Sequence, residues 1–257
     1  REPASYFFSR PGDTLSAAWD AVSSAYSALF KGAIFDPGSL ESGSMTRILR
    51  PISETIVYAT PVILTGLAVA VAFRSGLFNI GAQGQMIVGA VLAGWIGFGF
   101  SLPAVLHVIF ALVGAIIGGA IYGGIVGLLK ARTGAHEVIL TIMLNYVAVF
   151  FLGYLLVRPG FQAPPFNQAK SERIDVTAEL PRILGADLRA NLGFIIALLA
   201  AVGFWWLIDR STIGFRLRAV GSNPAAANTG GISVGNAYIV AMVAAGALSG
   251  LAGAAQV

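Results

Sequence analysis

Amide side chains set among glycines are the most chemically suggestive feature of this sequence. In Ser75–Gln85 (SGLFNIGAQGQ), Asn79, Gln83 and Gln85 are interspersed with Gly76, Gly81 and Gly84, between two apolar runs. Amides supply hydrogen-bond donors and acceptors without net charge, and glycine admits backbone that departs from a helix. At membrane depth such backbone survives only where protein or a water-filled cavity satisfies its polar groups. The stretch therefore reads either as a broken segment beside a polar path or as a plain turn between two spans, and its spacing favours neither. Asn145 and Tyr146, in Thr141–Tyr146 (TIMLNY) of another apolar run, pose a similar choice. A membrane-embedded Asn either bonds a neighbouring helix, at about 1 kcal/mol or less, or lines a polar route.

Other chemistries find little support. His107 stands far from the His136–Glu137 pair, with no cluster of acids nearby, which makes a poor metal site. Glu137 opens a helix, where a carboxylate complements the dipole, and Glu54 lies near a membrane edge. There is no cysteine, hence no thiolate site. No G-x-x-x-x-G-K-[ST] phosphate loop occurs, and Gly124–Lys130 (GIVGLLK) does not match it, so ATP is not expected to be hydrolysed by this chain. Nor do His, Asp, Glu or Ser cluster as an enzyme would require.

The elements that must position these residues follow from hydropathy. Of 257 residues 56% are hydrophobic and 11% charged, with 32 glycines; soluble domains carry roughly a quarter charged residues. A helix needs about 20 mostly apolar residues to cross the hydrocarbon. Six stretches fit or nearly fit: Ile52–Phe73, Gly84–Ser101, Pro103–Leu129, Val138–Val157, Asn191–Ile208 and Ala237–Val257. The expected fold is an all-α transmembrane bundle, its second domain spanning 51–257 after an interfacial or extracytoplasmic segment, 1–50. The net charge of +4 sits between apolar runs, as a positive-inside bias requires, so nucleic acid is not an expected partner. Lys130 and Arg132, and then Arg210, Arg216 and Arg218, mark the cytoplasmic side. Parity then sends Arg158–Ala190 and residues 1–50 outward. Within the latter, Leu15–Phe30 is amphipathic, with Trp19, Tyr26 and Phe30 suited to an interface. An outside N-terminus without a prior crossing, and an apolar end at Val257, suggest a missing first helix and further C-terminal helices. The small-xxx-small pairs Gly114/Gly118, Gly119/Gly123, Gly123/Gly127 and Gly246/Gly250 predict close helix packing, most simply within the chain.

One cytoplasmic loop carries its own helix. In Leu217–Val234 (LRAVGSNPAAANTGGISV), Ser222 or Asn223 suits an N-cap, Pro224 the first helical position, and Gly230–Gly231 the end. A short helix with no apolar stripe needs an outside partner, so this reads as a docking element.

GLFNIGAQGQM, then TIMLNY, then RAVGSNPAAA, in that order, resemble the ABC importer permeases of the branched-chain amino-acid, ribose and nucleoside group, most of all the guanosine/nucleoside uptake permeases. The resemblance implies a multi-pass subunit of the bacterial inner membrane that is not itself an enzyme and binds no cofactor, ATP and Mg residing on a partner ATPase. It also implies a second, homologous or identical, permease subunit and a substrate-binding lipoprotein. Arg218, Gly221, Asn223, Pro224 and Ala226 would form the ATPase contact, and Asn79, Gln83, Gln85, Asn145 and Tyr146 would line the path of a nucleoside. A simple-sugar permease is the nearest alternative. An ion-coupled secondary transporter would want an intramembrane acid or base, and none stands mid-span.

Overall fold

The computed structural model describes residues 10–41 and 43–257; the first nine positions of the expected 1–50 segment lie outside them. The described residues are helical apart from loops and two isolated β-bridges. The helices are α1 (Pro11–Ala33), α2 (Gly38–Glu41), α3 (Met45–Arg74), α4 (Ala82–Gly99), α5 (Ala104–Thr133), α6 (Glu137–Leu155), α7 (Gly193–Arg210), α8 (Thr212–Ser222), α9 (Pro224–Thr229) and α10 (Val234–Ala254). Each of the six expected apolar stretches is a helix. Five of them, α3, α5, α6, α7 and α10, are long and apolar enough to cross a membrane. The 18-residue α4 is not among them, because Gln83 and Gln85 fall in its first turn.

Contacts divide the chain into two compact units, Arg1–Tyr58 with Arg182–Asn191, and Ala59–Pro181 with Leu192–Val257; α3 runs from one into the other. In the first unit α1 starts on a proline in its first turn and carries Asp13 near its N-terminus and Lys31 near its C-terminus, both favourable to the dipole. The Thr55 hydroxyl of α3 donates to the Ala33 carbonyl at the end of α1. The 182–191 segment is held to α3 by Arg189–Glu54 at 3.0 Å and by the Ala190 N–H on the Ser53 hydroxyl at 2.9 Å.

The second unit is built on α10. More than half of its apolar window is buried (56%), against 11% for α6, which makes α10 the central helix and α6 a peripheral one. It packs chiefly on α5 and α4, and glycine makes the approach possible. A Cβ on Gly119 would lie 2.1 Å from the Gly246 carbonyl oxygen, and one on Gly246 would lie 2.1 Å from that of Gly119. Gly123 and Gly127 meet α10 in the same way, whereas Gly114 and Gly118 face Ile96 and Leu92 of α4. The small-residue stripe of α5 is thus spent on intramolecular contacts, where backbone dispersion replaces the hydrophobic drive absent between helices in lipid.

His107, fully buried on α5, ties down the long loop: Nδ1 meets the Thr177 hydroxyl at 2.8 Å and Nε2 the Ile96 carbonyl at 3.0 Å. Nearby, the Asp175 N–H donates to the Gly97 carbonyl at 2.8 Å, and Ile174 sits where a Cβ on Gly97 would go.

Candidate functional site: an amide-braced break and a capped surface helix

α3 ends because Gly76 takes φ +76°, a left-handed conformation that suits glycine. The Leu77 N–H then returns to the Ala72 carbonyl and the Gly76 N–H to that of Phe73, both within 3.1 Å, the paired bonds of a Schellman ending. Leu77 is thereby driven into a core with Val71, Ala72, Leu217, Val220 and Met242. The chain runs non-helically to Gly81, where α4 begins.

This stretch leaves backbone groups to be satisfied, and amides satisfy them. The Asn145 Oδ1, on α6, accepts the Gly84 N–H at 2.8 Å, while its Nδ2 donates to the Ile80 carbonyl at 3.0 Å. One side chain therefore clamps both sides of the α4 N-terminus. Asn79, 2% exposed, accepts the Gly81 N–H at 2.9 Å and donates to Gln85 Oε1 at 3.1 Å. Tyr122 of α5 steadies the same region by donating to the Leu144 carbonyl at 2.7 Å. The glycines here are space-limited: a Cβ on Gly84 would sit 2.9 Å from Asn145 Oδ1, and one on Gly81 3.0 Å from Thr141 Cβ. The structure thus brings Asn79, Gln85 and Asn145 to one polar knot. It does not bring Gln83 or Tyr146 into it, and both are exposed.

The second group of residues lies at the α8–α9 corner. Ser211 caps α8 by accepting the Gly214 N–H at 3.0 Å. Asn223 ends α8 and starts α9, its Oδ1 accepting the Ala226 N–H at 3.0 Å, with Pro224 at the first helical position. α9 closes with Gly231 at φ +82° and the Ile232 N–H on the Ala227 carbonyl at 2.9 Å. Of its six residues only Ala227 is buried, so Pro224 and Ala226 face outward. Arg218 is engaged inside the chain, 2.9 Å from Asp209. Gly221 is inward too: a Cβ there would come 2.4 Å from the Arg74 carbonyl oxygen and 3.0 Å from the Gly76 nitrogen. The corner therefore rests directly on the turn that leads to Asn79. A cavity of about 390 Å³ opens beside it, lined in part by Arg216, Gly231, Ser233 and Asn236.

Sequence reasoning missed α8, whose signal was Ile213, Leu217 and Val220 at helical spacing after a serine cap. It also missed the ion pair of Lys130 with Glu137, 2.8 Å apart, although the two flank the short α5–α6 turn.

Five apolar spans around such internal bracing define a multi-pass helical protein of the bacterial inner membrane. Residues 52–257 match the family described as the permease component of the branched-chain amino acid transport system, and the chain belongs to that family. It is 42% identical to the guanosine ABC transporter permease protein of Bacillus subtilis over 92% of this chain and 64% of that protein. It is 36% identical to a nucleoside ABC transporter permease protein of Lactococcus lactis (79% of this chain, 58% of that protein). With a glucose ABC transporter permease protein of Haloferax volcanii identity is 34% (80% and 56%). The chain therefore spans roughly three-fifths of the length of these relatives. No solved structure matches it.

Proposed function

We propose that this chain is the membrane-spanning subunit of an ABC importer, moving a nucleoside or a similar neutral hydroxylated solute inward with energy from a partner ATPase. The observation that carries the reading is α9, a short helix capped at both ends that keeps all but one residue outside the core. A helix this short gains little from its own packing, so its caps suit a surface presented to another protein. In this reading α9 docks the ATPase, which holds ATP and Mg; this chain holds no cofactor and is not an enzyme. Pro224 and Ala226 make the contact, Asn223 fixes the helix, and Gly221 and Arg218 seat the corner. A second permease subunit and a substrate-binding lipoprotein complete the assembly, with 51–257 as the permease domain. Along the path, Gln83 and Tyr146 meet the solute while Asn79, Gln85 and Asn145 hold the wall; uncharged groups suit a ligand that must also be released. The glucose permease relative supports a second reading, a simple sugar as cargo.

Uptake of labelled guanosine and glucose by cells carrying the intact system separates the two cargoes. Replacing Asn223 and Pro224 by alanine removes a cap worth about 1 kcal/mol, or about fivefold in local helix population. Uptake is expected to fall several-fold while solute capture by the binding protein is unchanged; a variant that still co-purifies with its ATPase and transports normally refutes the docking role.

The charge asymmetry gives a topology to test in this cysteine-free chain. Cysteines at Arg216 and Asn223 are expected to react only after the cytoplasmic face is opened, and one at Gln168 with an impermeant reagent from outside. The reverse pattern overturns the orientation.

A further inference from the structure

The first unit carries two features that the transport reading leaves unused, and they adjoin. Along α1, Leu15, Trp19, Val22, Tyr26 and Leu29 repeat at four- and three-residue steps, which puts them on one helical face. All five are 49–71% exposed, and α1 buries no residue. At the end of α1 a hollow of about 410 Å³ is lined by Lys31, Asp36, Arg47, Arg50 and Glu54, among others. Of its acids, Glu54 holds Arg189 at 3.0 Å, and Asp36, whose Oδ1 accepts the Gly38 N–H at 3.2 Å, is the one carboxylate there that no ion pair neutralises among the described residues. Lys31, Arg47 and Arg50 form no ion pair among the described residues.

We infer that the α1–α3 junction binds the headgroup of an anionic phospholipid, with α1 lying in the plane of the bilayer surface. Lys31, Arg47 and Arg50 surround the phosphodiester, and the apolar stripe of α1 rests on the acyl boundary beside it. Three observations select lipid as the occupant. Charge is complementary, since the three cations that line the hollow outnumber Asp36, the one carboxylate there that no ion pair neutralises. Position agrees, because Arg47 and Arg50 lie on the first turns of α3, a helix long and apolar enough to cross the membrane, and Thr55 two turns on binds the end of α1. Composition agrees as well: Trp19 and Tyr26 pair an apolar ring with a polar edge, the combination that settles at headgroup level. Free phosphate would satisfy the cations but leave the stripe in water.

The test uses the whole chain in nanodiscs. Native mass spectrometry should find phosphatidylglycerol retained over phosphatidylethanolamine. Each cation near an anionic surface is worth about fivefold, so a K31Q, R47Q, R50Q variant should lose that retention on the order of a hundredfold, while the control R173Q keeps it. Unchanged retention overturns the site, as does full competition by millimolar inorganic phosphate. Spin labels on single cysteines along α1 of the otherwise unchanged chain provide a reading that does not depend on the triple variant folding. Positions 15, 19, 22 and 26 should be accessible to oxygen and shielded from a water-soluble nickel reagent, with 16, 20 and 23 showing the opposite. Shielding from both reagents on the stripe indicates a protein occupant, and nickel access throughout indicates solvent; either result rejects the lipid assignment.

Discussion

Replacing Gly119 with alanine is expected to lower the melting temperature of the purified protein by roughly 2–12 °C, from about 1–3 kcal/mol of overpacking. The added methyl would meet the Gly246 carbonyl at 2.1 Å and the Gly250 backbone at 2.7 Å. Backbone cannot rotate aside as a side chain can, so the α5–α10 pair must separate along its length. Gly246→Ala places the same clash on the other partner and should cost as much. Gly153→Ala and Gly203→Ala are the controls, since nothing lies within 4 Å of either position. They should melt with the parent or slightly above it, alanine being the better helix former. If Gly119→Ala melts with the parent, the close approach is not a stability element.

Asn145→Leu should abolish most uptake while leaving membrane insertion intact, because leucine is better tolerated by lipid than an amide. The substitution strips the Gly84 N–H and the Ile80 carbonyl of their partner, at about 0.5–1.5 kcal/mol for each hydrogen bond lost. Hydrogen exchange separates the two ways uptake could fail. If Asn145 braces the break, amides from Phe78 to Gly84 should exchange at least tenfold faster in the variant. Lost uptake with unchanged exchange would instead mean that Asn145 serves the solute directly. Asn79→Leu is expected to act similarly, by releasing Gly81 and Gln85 together.

The helices were legible because hydropathy is additive along the chain. Apolar runs such as Val138–Val157 and Asn191–Ile208 needed no knowledge of their neighbours. The cap at Asn223 and the stop at Gly230–Gly231 were also local, a side chain bonding three residues ahead and a left-handed glycine. α8 was hidden for a different reason. Arg216 and Arg218 drew attention as markers of the cytoplasmic side, and masked the period of Ile213, Leu217 and Val220 around them. The residue types of the polar knot were visible, but not their pairing. That Asn79 would face Gln85 follows from where Gly76 turns the chain, and that Asn145 would reach Ile80 and Gly84 follows from how α6 lies on α4. The contact of Gly221 with Arg74 and Gly76 had no sequence signal at all. Two glycines without side chains carry no chemistry from which to guess a partner.

The corner at Asn223 has a mechanical side. A pivot with a loop in it has play: part of any displacement is lost in slack before the far arm moves. Here one residue ends α8 and begins α9, so there is no loop to take up motion. The far arm presses backbone against backbone at Gly221 and Gly76, a joint with no rotamers to yield. A push of an ångström on α9, whatever its origin, must therefore either tilt α8 as a rod or shift the turn that carries Asn79. Lengthening the corner by even two flexible residues would leave both helices folded and disconnect the lever.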